Sequence, residues 1–112
     1  MSPITTHILD LDSGLPAADV SVILLREQKG GWQELAKGKT DGDGRIKTFL
    51  ASGALAAGTY RLVFNIGDYF SARSKKSFYK SVPVEFSIDL VDRHFHVPLL
   101  ISPFGYSTYR GS

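Results

Sequence analysis

The feature that most constrains this chain is a period-two alternation of apolar and other residues, repeated in short segments that turn-forming residues separate. Successive side chains of a strand point to opposite faces, so each such segment supplies an apolar stripe that must be covered. Tyr60, Leu62, Phe64 and Ile66 share a face opposite Arg61, Val63 and Asn65, while Val82, Val84, Phe86 and Ile88 share one opposite Glu85, Ser87 and Asp89. Phe95, Val97, Leu99 and Ile101 form a further stripe opposite His94, His96, Pro98 and Leu100. In the segment 20–25 the two faces, Val20, Val22 and Leu24 against Ser21, Ile23 and Leu25, are both largely apolar, so this strand could be buried on both sides.

Turn chemistry lies between the segments: Asp12-Ser13-Gly14, Lys29-Gly30-Gly31, Asp41-Gly42-Asp43-Gly44, Ala57-Gly58-Thr59 and Ser102-Pro103-Phe104-Gly105. Such spacings leave little room for crossover helices. The expectation is all-β: seven or eight strands near 5–12, 20–28, 32–39, 45–49, 59–66, 82–90, 94–101 and 106–110, packed as an antiparallel β-sandwich of two sheets. One short helix fits at about 68–74, with Asp68 placed to cap it after Gly67.

At 112 residues the chain makes a single domain, 1–112, and a domain of this length buries roughly two-thirds of its unfolded surface without staples. Thirteen Lys and Arg against eleven Asp and Glu leave a formal charge of +2, scattered apart from Arg73, Lys75 and Lys76, which argues against a nucleic-acid partner. The longest apolar run, 22–25, is far short of a membrane span. The opening Met1-Ser2-Pro3-Ile4-Thr5-Thr6 has no export signal and the closing Gly111-Ser112 no peroxisomal tripeptide, so a cytoplasmic location is expected. With no cysteine, disulfides, thiolate metal sites and a cysteine nucleophile are excluded.

Three histidines carry the chemistry that composition allows, since imidazole titrates near neutrality. His94 and His96 leave one face of a strand, and with His7 they match the ligand count of a His₃ zinc site as well as a pair of surface histidines. Asp41-Gly42-Asp43-Gly44 opens like a calcium loop, but the fifth and twelfth positions, Arg45 and Ser52, carry no carboxylate. It reads better as a turn presenting Arg45, whose planar guanidinium can clamp an anionic or carbonyl-rich ligand. The tail Tyr106-Ser107-Thr108-Tyr109-Arg110-Gly111-Ser112 is rich in hydrogen-bonding groups and could line a site or fray. No serine nucleophile elbow or P-loop occurs.

Several blocks, taken in order and spacing, resemble the hydroxyisourate hydrolase family of transthyretin-related proteins. They are Thr6-His7-Ile8-Leu9-Asp10 with Gly14-Leu15-Pro16-Ala17, then Asp43-Gly44-Arg45, then the run from His94-Phe95-His96-Val97-Pro98 to Ser102-Pro103, and the closing Tyr106 to Ser112. Tyr109-Arg110-Gly111-Ser112 is similar to that family's signature and departs from the transthyretin hormone carriers of the same fold. Lys80 and Ser81 depart from the pattern, standing where many relatives carry a proline and a variable residue.

The resemblance implies a transthyretin-like sandwich assembled as a homotetramer, a dimer of dimers whose sites lie at the dimer–dimer interface, with no cofactor and no metal. The reaction it implies is the hydrolysis of 5-hydroxyisourate, an oxidation product of urate, to 2-oxo-4-hydroxy-4-carboxy-5-ureidoimidazoline. Carried over by position, the catalytic residues are His7, Arg45, His96 and Ser112, and the substrate-binding residues are His7, Arg45, Tyr109, Arg110 and Gly111; His94 is not carried over. His96 or His7 would be the general base, and Arg45 would clamp the substrate and stabilise oxyanion charge. Tyr109 would fix one substrate edge, and Ser112 would orient a histidine or the water. A carrier binding in the same channel without turnover and a zinc hydrolase remain as alternatives.

Overall fold

A computed structural model describes residues 2–51, 55–89 and 94–111. Nine strands and one helix follow in chain order: β1 Ile4–Asp10, β2 Leu15–Pro16, β3 Ser21–Gln28, β4 Gly31–Lys39, β5 Arg45–Ile46, β6 Gly58–Phe64, α1 Ile66–Ser71, β7 Val82–Ile88, β8 Phe95–Ser102 and β9 Gly105–Thr108. Strands β2, β1, β8 and β9 make one sheet in that order, with β5 also paired to β1; β4, β3, β6 and β7 make the other. The two sheets face each other across the core, as the alternating stripes require.

Buried at 0% exposure are Val20, Val22 and Leu24 from the β3 region, Leu62 and Phe64 from β6, and Leu99 and Ile101 from β8. Each contributes about 1.5–3 kcal/mol by leaving water, and Phe64→Ala would open a cavity costing about 3–5 kcal/mol. The other face of β3, Ser21, Ile23 and Leu25, is only half-buried, so the expectation of two-sided burial fails. That face is the outer side of its sheet, so only the inner stripe is fully covered.

Further departures concern the helix start, two short strands and one ladder. The helix begins at Ile66, because Asn65 caps it: its side chain accepts from the Asp68 backbone N–H at 3.2 Å and donates to the Asp68 carboxylate at 2.7 Å. Asp68 therefore sits in the first turn, where its charge also suits the helix dipole. Leu15–Pro16 adds a two-residue strand that alternation could not reveal, and the 45–49 segment pairs only over Arg45–Ile46. Finally, β1 and β8 run parallel, from Ile4 opposite Phe95 to Asp10 opposite Ile101, in a sandwich whose other described ladders are antiparallel. The predicted strand at 82–90 reaches Ile88, and Leu90 lies outside the described residues.

Parallel pairing places the first strand beside the eighth and so decides where the site can be. In β1, Ile4, Thr6, Ile8 and Asp10 turn inward at 0–1% exposure, leaving Thr5, His7 and Leu9 on the outer face. The inward Asp10 carboxylate is held by the Tyr69 hydroxyl at 2.8 Å and the Asp12 backbone N–H at 2.9 Å, which ties α1 to the end of β1. Burial pushes the Asp10 pKa up, but these hydrogen bonds outweigh it and the net shift is downward; burial first, then the same contact, raises Tyr69 to about 12.

Candidate active site

The outer face of the five-stranded sheet gathers residues from three distant stretches of chain. Register sets Thr5 opposite His96 and His7 opposite Pro98 across the parallel ladder, and His7 opposite Arg45 on the other side. Arg45 is fixed there by the turn that precedes it. The Asp41 carboxylate accepts from the Asp43 and Arg45 backbone N–H groups at 2.9 and 3.0 Å, and Gly44 adopts φ 74°. A Cβ at Gly44 would meet the Ile8 carbonyl oxygen at 2.5 Å, so only glycine lets the turn close against β1.

His7, Arg45 and His96 are close enough to feel one another's charge. Burial lowers the His7 pKa, Arg45 lowers it further, and a hydrogen bond to the Asp43 backbone partly opposes them. Burial likewise lowers His96, followed by the charges of Arg45, His94 and His7. Both rings are thus held neutral at neutral pH, in the state that can accept a proton. Among the described residues, Arg45 closes no salt bridge.

Thr5 was not singled out by the sequence, yet it touches both histidines of the His94-Phe95-His96 run. Its Oγ1 lies 2.9 Å from His94 Nε2 and 2.8 Å from His96 Nδ1, and the two rings stack with centroids 6.4 Å apart. The signal available was its place two residues before His7, on the same face of an alternating strand. No three metal-ligating side chains are grouped among the described residues. The nitrogens that His94 and His96 turn toward each other meet the threonine hydroxyl.

The tail is paired onto β8. The β9 register, Leu99 with Thr108, continues to a bridge between His96 and Gly111, whose N–H donates to the His96 carbonyl at 2.8 Å. A Cβ on Gly111 would stand 2.6 Å from His96 Cδ2 and 3.1 Å from Pro98 Cγ, so the glycine permits close approach to the ring. Tyr109 is exposed at 59%. The Arg110 guanidinium lies 4.7 Å from the centroid of Phe95, a member of the inward stripe, and Arg110 lines one cavity together with His96. Ser112 lies outside the described residues. Beside the tail a cavity of about 190 Å³ opens between the sheet edges, lined by Val84, Phe86, Phe95, Val97 and Tyr109 among others.

Comparison with known proteins bears on this arrangement directly. Residues 4–111 match the HIUase/Transthyretin family. The chain is 50% identical over 116 residues to a 5-hydroxyisourate hydrolase of Caulobacter vibrioides, covering 100% of both chains. Among solved structures it is similar to the Klebsiella pneumoniae 5-hydroxyisourate hydrolase, with TM-score 0.86 and 42% identity over 97% of this chain and 92% of that one. It is also similar to sea bream transthyretin in complex with thyroxine, with TM-score 0.93 and 31% identity over 98% of this chain and 95% of that one. Backbone likeness therefore does not separate enzyme from carrier, whereas sequence identity favours the enzymes.

Proposed function

The chain belongs to the HIUase/Transthyretin family and is a hydrolase of 5-hydroxyisourate, and we propose that His7, Arg45, His96 and the tail carry out the reaction. The observation that supports this assignment most is the convergence on one sheet face of two neutral histidines and an arginine that closes no salt bridge among the described residues.

In this reading a water molecule adds to a carbonyl of the six-membered ring. One histidine takes a proton from the water, and the carbonyl oxygen becomes an oxyanion facing Arg45. Collapse of the tetrahedral species breaks the ring C–N bond, and the departing nitrogen receives the proton that the first histidine took from the water, while the second, neutral histidine orients the water. The product carries a new carboxylate and a ureido arm, 2-oxo-4-hydroxy-4-carboxy-5-ureidoimidazoline, so one water has been consumed and no electrons have moved. Tyr109 and Gly111 fix a substrate edge, Ser112 orients a histidine or the water, and Arg110 contributes through its hold on Phe95.

A single chain leaves this face open to solvent, and a closed site asks for a second surface. We therefore place the site at the interface of a homotetramer, a dimer of dimers. The half-buried Val84 and Phe86 on edge strand β7 and the exposed Phe78 support association. Ultraviolet monitoring of freshly generated 5-hydroxyisourate, with and without the protein, tests the activity against spontaneous decay. Light scattering should give about four times the chain mass, and a fully active monomer would contradict a shared site.

A further inference from the structure

Thr5 is 8% exposed, and its single hydroxyl lies between two imidazole nitrogens, His94 Nε2 at 2.9 Å and His96 Nδ1 at 2.8 Å. A hydroxyl owns one proton. In a bridge between two neutral rings, each of which carries one N–H, it accepts from one and donates to the other. The direction of this chain fixes which nitrogen of His96 carries hydrogen and which keeps a lone pair for the substrate side.

We propose that Thr5 is a positioning residue for the hydrolysis: its hydroxyl accepts from His96 Nδ1–H and donates to His94 Nε2, holding His96 in the tautomer whose Nε2 is the general base. The inference rests on the assignment of His96 to the reaction and deepens it by choosing between the two histidines.

Three observations carry the direction. Thr5 takes Nδ1, which leaves Nε2 as the nitrogen available to the reacting water. Once Nε2 has accepted a proton, the ring is an imidazolium and both nitrogens donate, so Thr5 must then be an acceptor. Only the proposed direction serves the neutral and charged rings alike, and it requires no hydroxyl rotation during the reaction. A hydrogen bond to the Thr5 backbone also favours the charged form of His96 against the burial and positive neighbours that disfavour it. His94 then acts as the acceptor that keeps the threonine proton turned away from His96, and the stacking of the two rings fits that role.

The charged or titratable groups facing His96 are Arg45, His94 and His7, and a positive charge on any of them lowers its pKa. Removing the Thr5 acceptor adds to that depression. In Thr5→Val, which keeps the side-chain shape, kcat should fall about tenfold or more, as it does when an orienting partner of a functional histidine is lost, with KM nearly unchanged. The acid limb of its pH profile should move to lower pH. Thr5→Ser, which restores the hydroxyl, should recover most of the rate and the limb. Nitrogen-15 NMR of the histidine rings reads the tautomer without substrate: His96 should be Nδ1–H in the wild type and mixed in Thr5→Val.

Wild-type kcat and pH profile in a folded Thr5→Val, or an Nε2–H tautomer in the wild type, would overturn the inference. Failure of Thr5→Ser to rescue would also count against it. If the protein did not accelerate substrate decay at all, the catalytic assignment would fall, while the NMR result would still decide what Thr5 does to the ring.

Discussion

Arg61 and Arg45 stand in matching places on the two outer faces of the sandwich, each half-buried and each opposite a partner across a strand ladder. Arg61 donates to the Glu85 carboxylate at 2.8 Å and lies 4.0 Å from the Trp32 ring centroid, so its charge is neutralised and its flat face covered. Arg45 instead faces His7 and acts on His96, two groups that repel it when protonated. The carboxylate of its own turn, Asp41, is engaged by backbone N–H groups. One face pairs its cation with a carboxylate of its own, leaving the Arg61 Nε without a partner; among the described residues the other holds a positive charge in reserve for a ligand.

The sharpest way to break this contrast is to remove each arginine in turn. Arg45→Ala should reduce turnover about a hundredfold or more, as should His96→Gln, the order expected for losing a transition-state donor or a general base. Arg61→Ala should leave turnover within about twofold, since a solvated ion pair serves only its own surface. Comparable losses from Arg45→Ala and Arg61→Ala in the substrate-decay assay would erase the distinction.

A smaller but still large effect is expected at the tail. Gly111→Ala forces the His96 ring to move, and misplacing a catalytic group by an ångström costs up to about a hundredfold, so steady-state kinetics should show a deep fall in kcat. Deleting Arg110-Gly111-Ser112 should act in the same direction with little change in Tm, because the sandwich core is untouched. A tail deletion that melts early and keeps its rate would make the segment structural.

Next comes pH. His7 and His96 both have folded-state pKa values below the ordinary 6.5, so the protein binds fewer protons there than the unfolded chain does. Their contribution to stability is present above pH 6.5 and is lost as pH falls from 6.5 through the lowered values. The acid limb of kcat/KM should likewise lie below 6.5, and the residual activity of Arg45→Ala should show it moved upward, because one cause of the depression has gone. A limb that ignores the arginine would remove its electrostatic role.

The smallest effect belongs to the face with the internal ion pair, where Arg61→Ala should cost about 1 kcal/mol or less in urea unfolding.

Much of this molecule could be read from sequence because burial writes itself into alternation. The Phe95, Val97, Leu99 and Ile101 stripe and the Tyr60, Leu62 and Phe64 stripe turn inward as their spacing demands. Pairing between strands leaves no such mark. Nothing in the composition of β1 distinguishes a parallel neighbour from an antiparallel one, so the adjacency of Thr5 and His96 was invisible. His7 and Arg45 stood out as chemistry, and the Asp41 to Gly44 turn explained how an arginine could be presented. Thr5 did not, since a threonine on a strand looks like ordinary β-propensity. Arg110 could not be told from its neighbours by residue type; only its phase along the tail turns it toward Phe95.

The parallel pairing of β1 with β8 also has a kinetic meaning. Thr5 lies 89 and 91 residues from the two histidines it touches, so the site is sealed by one of the longest closures available to the chain. The hairpins β3–β4, β6–β7 and β8–β9 close over far shorter spans and can gather before that event. A nascent polypeptide that has not yet released β8 holds every strand of the β4-β3-β6-β7 sheet and lacks the strand that carries His96. Catalytic competence is therefore a report on that closure: the hydrolytic centre comes into being when β1 and β8 meet.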